Sequence, residues 1–216
     1  MHVLLDNADL LCRAFTMTIV LAVGAGALAA ALGLSIGVAR LCPVPLLRHL
    51  GTGYVELVRN TPLTIVFFLV VFVLPELGVL LPGYTVTATI ALGCYTAAFV
   101  AEAVRAGVYT VGRGQAEAAR ALGLSFFASM RHIIVPQALR AVVPPLAGVW
   151  IALVKNTSVA AGFGVLELTA ASQRINFLDP AAVIPALLWI ATAYLVLTLG
   201  SAFGFRWLER RSAVAR

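Results

Sequence analysis

The chain has 216 residues, of which 62% are apolar and 11% charged, against about 25% charged in an ordinary soluble domain. With a mean hydropathy of +1.01, too little polar surface remains to clothe a water-soluble core, which excludes a soluble enzyme domain and a disordered regulator. The net charge of +6 points to basic cytoplasmic loops rather than to nucleic acid, and the continuous apolar runs exclude a membrane β-barrel, leaving an all-α polytopic membrane protein.

In chain order, the first charge-free run covers 14–39. Asp6 and Asp9 precede it where a cleaved signal carries basic residues, so it reads as a retained span. Gly33 and Gly37 form a small-xxx-small motif that permits close helix contact, expected inside the subunit. The second run, 60–75, is short alone and extends back to a span of 56–75. Arg59, Asn60, Thr61 and Pro62 stand at its entry. Pro62 suits a first helical position, and Asn60 or Thr61 can cap the helix. The free amides of a helix start inside a membrane can equally bind an anion.

Pro82 and Gly83 mark the turn into a third span, 83–105. A fourth covers 141–166, interrupted by Lys155 and by an expected break at Pro144-Pro145. The fifth covers 180–206 and carries a second small-xxx-small motif, Gly200 and Gly204. Each approaches the roughly 20 residues needed to cross a bilayer, so five transmembrane helices are expected.

Lys155 is the single lysine among fifteen basic residues and falls near the middle of its run. Charge at mid-span is costly on a lipid face and usually turns toward a bundle interior or water. Lys155, with Asn156 and Thr157, can therefore face a polar path. Lys155 can also snorkel or pair with Glu102 or Glu167.

Orientation follows from the arginines. Arg40, Arg48 and Arg59 occupy the first connection, and Arg105, Arg113, Arg120, Arg131 and Arg140 the third. Arg206, Arg210, Arg211 and Arg216 occupy the tail. The second and fourth connections are poor in basic residues. The positive-inside rule then puts the C-terminus in the cytoplasm and the N-terminus outside.

Cys12, Cys42 and Cys94 show no metal or disulfide spacing and are expected as small buried hydrophobes. His2, His49 and His132 are scattered. No Walker or H-E-x-x-H motif is present, so no catalytic, metal or cofactor site is expected on this chain.

The connection at 110–137 is the most informative. Strong helix formers run from Gln115 to Leu122, and Gly123 is a natural αL stop. Ser125 can cap a second short helix that Pro136 should end near Ile134. The expected product is a cytoplasmic knob with Phe126, Phe127, Met130 and Ile133 on an apolar face. It can lie on lipid headgroups or dock another protein. Glu117 complements the start of the first helix or pairs within the loop or with a partner.

Glu117-Ala118-Ala119, then Gly123, then Ile133-Ile-Val-Pro136 resembles the E-A-A-x3-G-x9-I-x-L-P loop of permease subunits of binding-protein-dependent ABC importers, with Val135 in place of Leu. Glu56-Leu-Val-Arg-Asn-Thr-Pro-Leu63 and Lys155-Asn-Thr-Ser158, followed by Gly164-Val-Leu-Glu167-Leu, resemble segments of the polar amino-acid subfamily. The resemblance spans about 15–205. It implies a single permease domain over 1–216 with the type I importer fold, in the bacterial cytoplasmic membrane. The chain would pair with a second permease subunit, identical or paralogous. Two ATP-binding subunits would receive the knob and hold the ATP, so the chain itself would carry no ATPase site. An extracytoplasmic solute-binding protein would deliver the amino acid. The detail around Thr61 and Lys155 is similar to glutamate-type permeases of Gram-positive high-GC bacteria, which favours glutamate, then glutamine or a basic amino acid. The alternative is a non-transport membrane scaffold or signalling subunit whose knob docks a cytoplasmic protein.

Overall fold

The computed structural model describes residues 6–212. His2 and Arg216, used in the sequence reading, lie outside them. The described chain is helical. α1 is Ala8–Leu41 and α2 is Pro45–Arg59. α3 is Leu63–Glu76, α4 is Gly83–Tyr109 and α5 is Arg113–Ala121. α6 is Phe126–Phe163, α7 is Leu168–Leu178 and α8 is Val183–Ser212.

Among the described residues, four helices are long and apolar enough to cross a membrane: α1, α4, α6, and α8 with the 3-10 turn before it. The fifth candidate is α2 with α3, bent by 108° between them. This changes the expected span of 56–75. Glu56 to Arg59 belong to α2, and only α3 continues into the bundle. The cause is Pro62, which cannot continue α2 and restarts the helix in a new direction.

α1 and α4 form the most extensive helix pair. Gly33 and Gly37 make it possible. A Cβ at Gly33 would come 2.5 Å from Val100 Cβ, and one at Gly37 would come 2.9 Å from Val104 Cγ1. The first motif therefore packs within the subunit, as small residues between membrane helices do. The second does not: Gly200 and Gly204 face open space. Hydroxyls along α1 bond back one turn, Thr16 to the Cys12 carbonyl and Ser35 to the Ala31 carbonyl. This satisfies them where no water is at hand.

The main core gathers Leu21, Leu63, Phe67, Leu92, Leu153 and Ala160, where α1, α3, α4 and α6 meet. Phe67 stacks on Phe163 at 4.8 Å between ring centroids. Cys42 and Cys94 are half-buried, but Cys12 is exposed on α1, contrary to expectation. A thiol on a lipid-facing helix meets acyl chains and needs no protein cover.

Two π-turns precede prolines, and the second replaces the break expected at Pro136. Leu69–Val73 precedes Pro75, and Met130–Ile134 precedes Pro136. In each, the residue before the proline reaches back five positions: Leu74 N–H to the Leu69 carbonyl and Val135 N–H to the Met130 carbonyl. The widened turn makes room for the proline ring, so the helix continues through it. Pro136 therefore does not end the second knob helix. That helix runs on as α6, and Pro144-Pro145 sit inside it without breaking it. Lys155 lies in the last α-helical turn of α6, before a 3-10 segment Thr157–Phe163.

Candidate functional site

The knob is built by a helix stop and a helix start in immediate succession. After α5, Gly123 adopts φ +76°, and its N–H reaches the Arg120 carbonyl at 2.9 Å. The Leu124 N–H reaches the Ala119 carbonyl at 3.1 Å. This bond pair is a Schellman motif, whose left-handed residue favours glycine. Ser125 then caps α6, its Oγ accepting from the Ala128 N–H at 3.2 Å. Ala119 and Ser129 are buried between the two helices.

Outside, Leu122, Phe126 and Phe127 are 78%, 81% and 74% exposed. Met130 does not share that face fully. With Phe126, Ile134 and Phe205 it lines an apolar groove of about 1090 Å³ that α1 and α4 also border. Glu117 and Ala118 are exposed, and Glu117 makes no ion pair among the described side chains. Ile133 and Pro136 are half-buried at the base of the knob.

The candidate path residues separate. Arg59 ends α2 and turns to Glu102 of α4, 3.5 Å away, with its guanidinium over the Phe99 ring. Asn60 Nδ2 donates to the Glu56 carbonyl and Thr61 Oγ1 to the Leu57 carbonyl, each at 2.8 Å. Both side chains therefore close the end of α2 and do not cap α3. Pro62 holds the N-cap position of α3 with no side-chain cap.

Lys155 is exposed on α6 and pairs with neither Glu102 nor Glu167 among the described residues. Its place in the last helical turn is favoured by the helix dipole. Asn156 is half-buried. Thr157 is fully buried and donates to the Val154 carbonyl at 2.7 Å, so it does not share Lys155's open face.

Glu102 and Glu167, weighed above as partners for Lys155, organise other contacts. Glu102 is the hub of Arg40, Arg59 and Arg105. Glu167 is fully buried at the start of α7. It accepts from the Ala170 N–H at 3.0 Å and the Tyr194 hydroxyl at 2.7 Å. Burial pushes its carboxyl above the usual range, and hydrogen bonds from Thr169, Tyr194 and Ala170 partly offset this. The sequence signal for Glu102 was Arg105 one turn on, in a stretch otherwise without charge. Nothing in the sequence pairs Glu167 with Tyr194.

The sequence matches the family described as binding-protein-dependent transport system inner membrane component over residues 22–214. It is 38% identical over 209 residues to a probable glutamine ABC transporter permease protein, GlnM, of Bacillus subtilis, covering 97% of this chain and 96% of that one. It is 39% identical over 224 residues to the glutamate transport system permease protein GluC of Corynebacterium glutamicum, covering 98% and 97%. Among solved structures, an amino acid ABC transporter crystallised with histidines superposes with a TM-score of 0.89 at 28% identity, covering 96% of each chain. The inward-facing MetNI methionine ABC transporter superposes at 0.78 with 20% identity, covering 97% of this chain and 99% of that one, a likeness of fold.

Proposed function

Since the chain belongs to the family of binding-protein-dependent transport system inner membrane components, we propose that it forms the translocation path of an ATP-driven amino-acid importer and couples that path to a partner ATPase. It is a multi-pass membrane subunit of the ABC permease type. In our reading the knob of Glu117, Ala118, Ala119, Gly123, Ile133 and Pro136 seats in a cleft of an ATP-binding subunit. Two such subunits hold the ATP, a second permease subunit completes the path, and a solute-binding protein delivers substrate. The N-terminus lies outside and the C-terminus in the cytoplasm, as the arginine distribution requires.

One observation supports coupling above the others. The second half of the knob, from Phe126, and the Lys155 segment lie on the same continuous helix, Phe126–Phe163. A close-packed helix transmits a rigid displacement, so movement of Phe126 and Phe127 at the ATPase displaces Lys155 at the far end. In this reading the exposed Lys155 ammonium, with Asn156, attracts the α-carboxylate common to all amino acids. Arg59 to Pro62 shape the path from the other side through the bend between α2 and α3.

The substrate is an amino acid with a polar side chain, glutamate or glutamine first, from the relatives named above. Lys155→Met keeps the apolar stem and removes the charge. It should cut uptake while insertion and ATPase association persist; wild-type rate and half-saturation in that variant would remove Lys155 from the path. Binding of glutamate, glutamine and a basic amino acid to the cognate solute-binding protein tests the substrate, and binding of none of them would overturn that assignment.

A further inference from the structure

The α-helical part of α6 ends at Asn156, and the 3-10 segment Thr157–Phe163 begins at the next residue. A 3-10 stretch within a long helix has poorer hydrogen-bond geometry and often marks a hinge. Lys155 and Asn156 sit against that junction, so their position depends on what holds the first 3-10 residue.

Thr157 is held from behind. It is fully buried and stands two residues from the exposed Lys155, a spacing that does not share a helix face. Its side chain meets the Tyr194 hydroxyl of α8, as does that of Thr169. The Tyr194 hydroxyl donates to Glu167 Oε2 at 2.7 Å. The other carboxyl oxygen accepts from the Ala170 N–H at 3.0 Å, which fixes Glu167 to the first turn of α7. That turn is tied in its own right to α1, where the Leu168 N–H donates to the buried Thr18 Oγ1 at 3.2 Å. The anchor therefore joins the junction in α6 to three other helices without covering the open face of Lys155.

Bulk alone does not call for such an anchor. A carboxyl group taken out of water is costly, and apolar side chains of similar volume often hold helices together as well or better. The far end of the 3-10 segment is held in that cheaper way, with Phe163 stacked on Phe67. Directional hydrogen bonds serve the end next to Lys155 and Asn156, and what direction adds to packing is a defined position.

We propose that Glu167 and Tyr194 are positioning residues for transport: through Thr157 they fix the junction that presents the Lys155 ammonium and the Asn156 amide to the substrate carboxylate, a role that rests on Lys155 lining the path. Neither Glu167 nor Tyr194 touches the substrate.

The test uses the full chain with its permease partner, ATP-binding subunits and solute-binding protein in proteoliposomes. The quantity read is labelled glutamate or glutamine imported per ATP hydrolysed, a ratio that does not depend on how much complex folds. Tyr194→Phe keeps the ring and removes the hydroxyl. It should lower the ratio about tenfold, the scale of one hydrogen bond to a charged group. Glu167→Ala should lower it likewise, and Glu167→Gln, which can still bridge the Ala170 N–H and the Tyr194 hydroxyl, should restore most of it. Adding Tyr194→Phe to Lys155→Met should lower the ratio no further than Lys155→Met alone. A wild-type ratio in Tyr194→Phe, where Lys155→Met lowers it, overturns the proposal. So does a further fall in the double variant, or an equal loss in Glu167→Gln and Glu167→Ala. A wild-type ratio in Lys155→Met instead overturns the path reading beneath it.

Discussion

Glu102 and Asp9 both pair with arginine, and their surroundings make the two pairings unequal. Asp9 and Arg13 meet at 2.9 Å on an exposed helix face, where an ion pair is worth about 0.2–1 kcal/mol. Glu102 is the counter-ion of a buried Arg40 and two further guanidiniums. Glu102→Ala should therefore cost on the order of 3 kcal/mol or more, while Asp9→Ala costs a fraction of that. Thermal unfolding of the two variants in detergent compares them, and equal losses would show that Glu102 is not the hub. Glu167 offers a pH test. Its carboxyl is raised by burial, so its contribution to stability is intact below the ordinary carboxylate range and is lost as pH climbs through the raised value. Glu167→Gln removes the titration, keeps one oxygen to accept from the Ala170 N–H, and turns its amide NH2 to the Tyr194 hydroxyl, which then accepts. It should flatten that limb of the Tm–pH curve; an unchanged slope would contradict the assignment.

At the scale of the element, the knob shows which local rules a sequence states openly. Gly123 as the αL stop and Ser125 as the next cap were legible, because each acts through bonds within a few residues. The consequence of Pro136 was not. A proline reads as a helix end, but the π-turn before it absorbs the ring, and the same device serves Pro75. The bend between α2 and α3 was hidden for a related reason. Composition marks the apolar stretch but cannot tell one straight helix from two that meet at a 108° bend. Gly33 and Gly200 likewise stand in similar motifs, yet only Gly33 meets a neighbouring helix. Gly123→Val places a β-branched residue at positive φ, which costs roughly 1–2 kcal/mol. It should abolish uptake and weaken ATPase association while the chain still inserts. Normal uptake with normal association would separate the knob from coupling.

Across the whole molecule, hydropathy placed four of the five expected spans on helices that the structure shows, because burying apolar side chains in lipid is a property of composition. The path residues were less legible. Lys155, Thr157 and Arg59 lie on charged or polar motifs, but whether a side chain opens to a path, folds into the core or meets Glu102 depends on helices distant in sequence. The central claim is that the knob, α6 and the Lys155 segment work as one coupled unit in an amino-acid importer. The most direct measurement is uptake of labelled glutamate and glutamine into proteoliposomes holding this chain, its permease partner, the ATP-binding subunits and the solute-binding protein. Accumulation that requires ATP inside the cytoplasmic compartment, and that is lost in Gly123→Val, is the result expected. Accumulation independent of ATP, or the absence of amino-acid uptake from the complete assembly, would contradict the account.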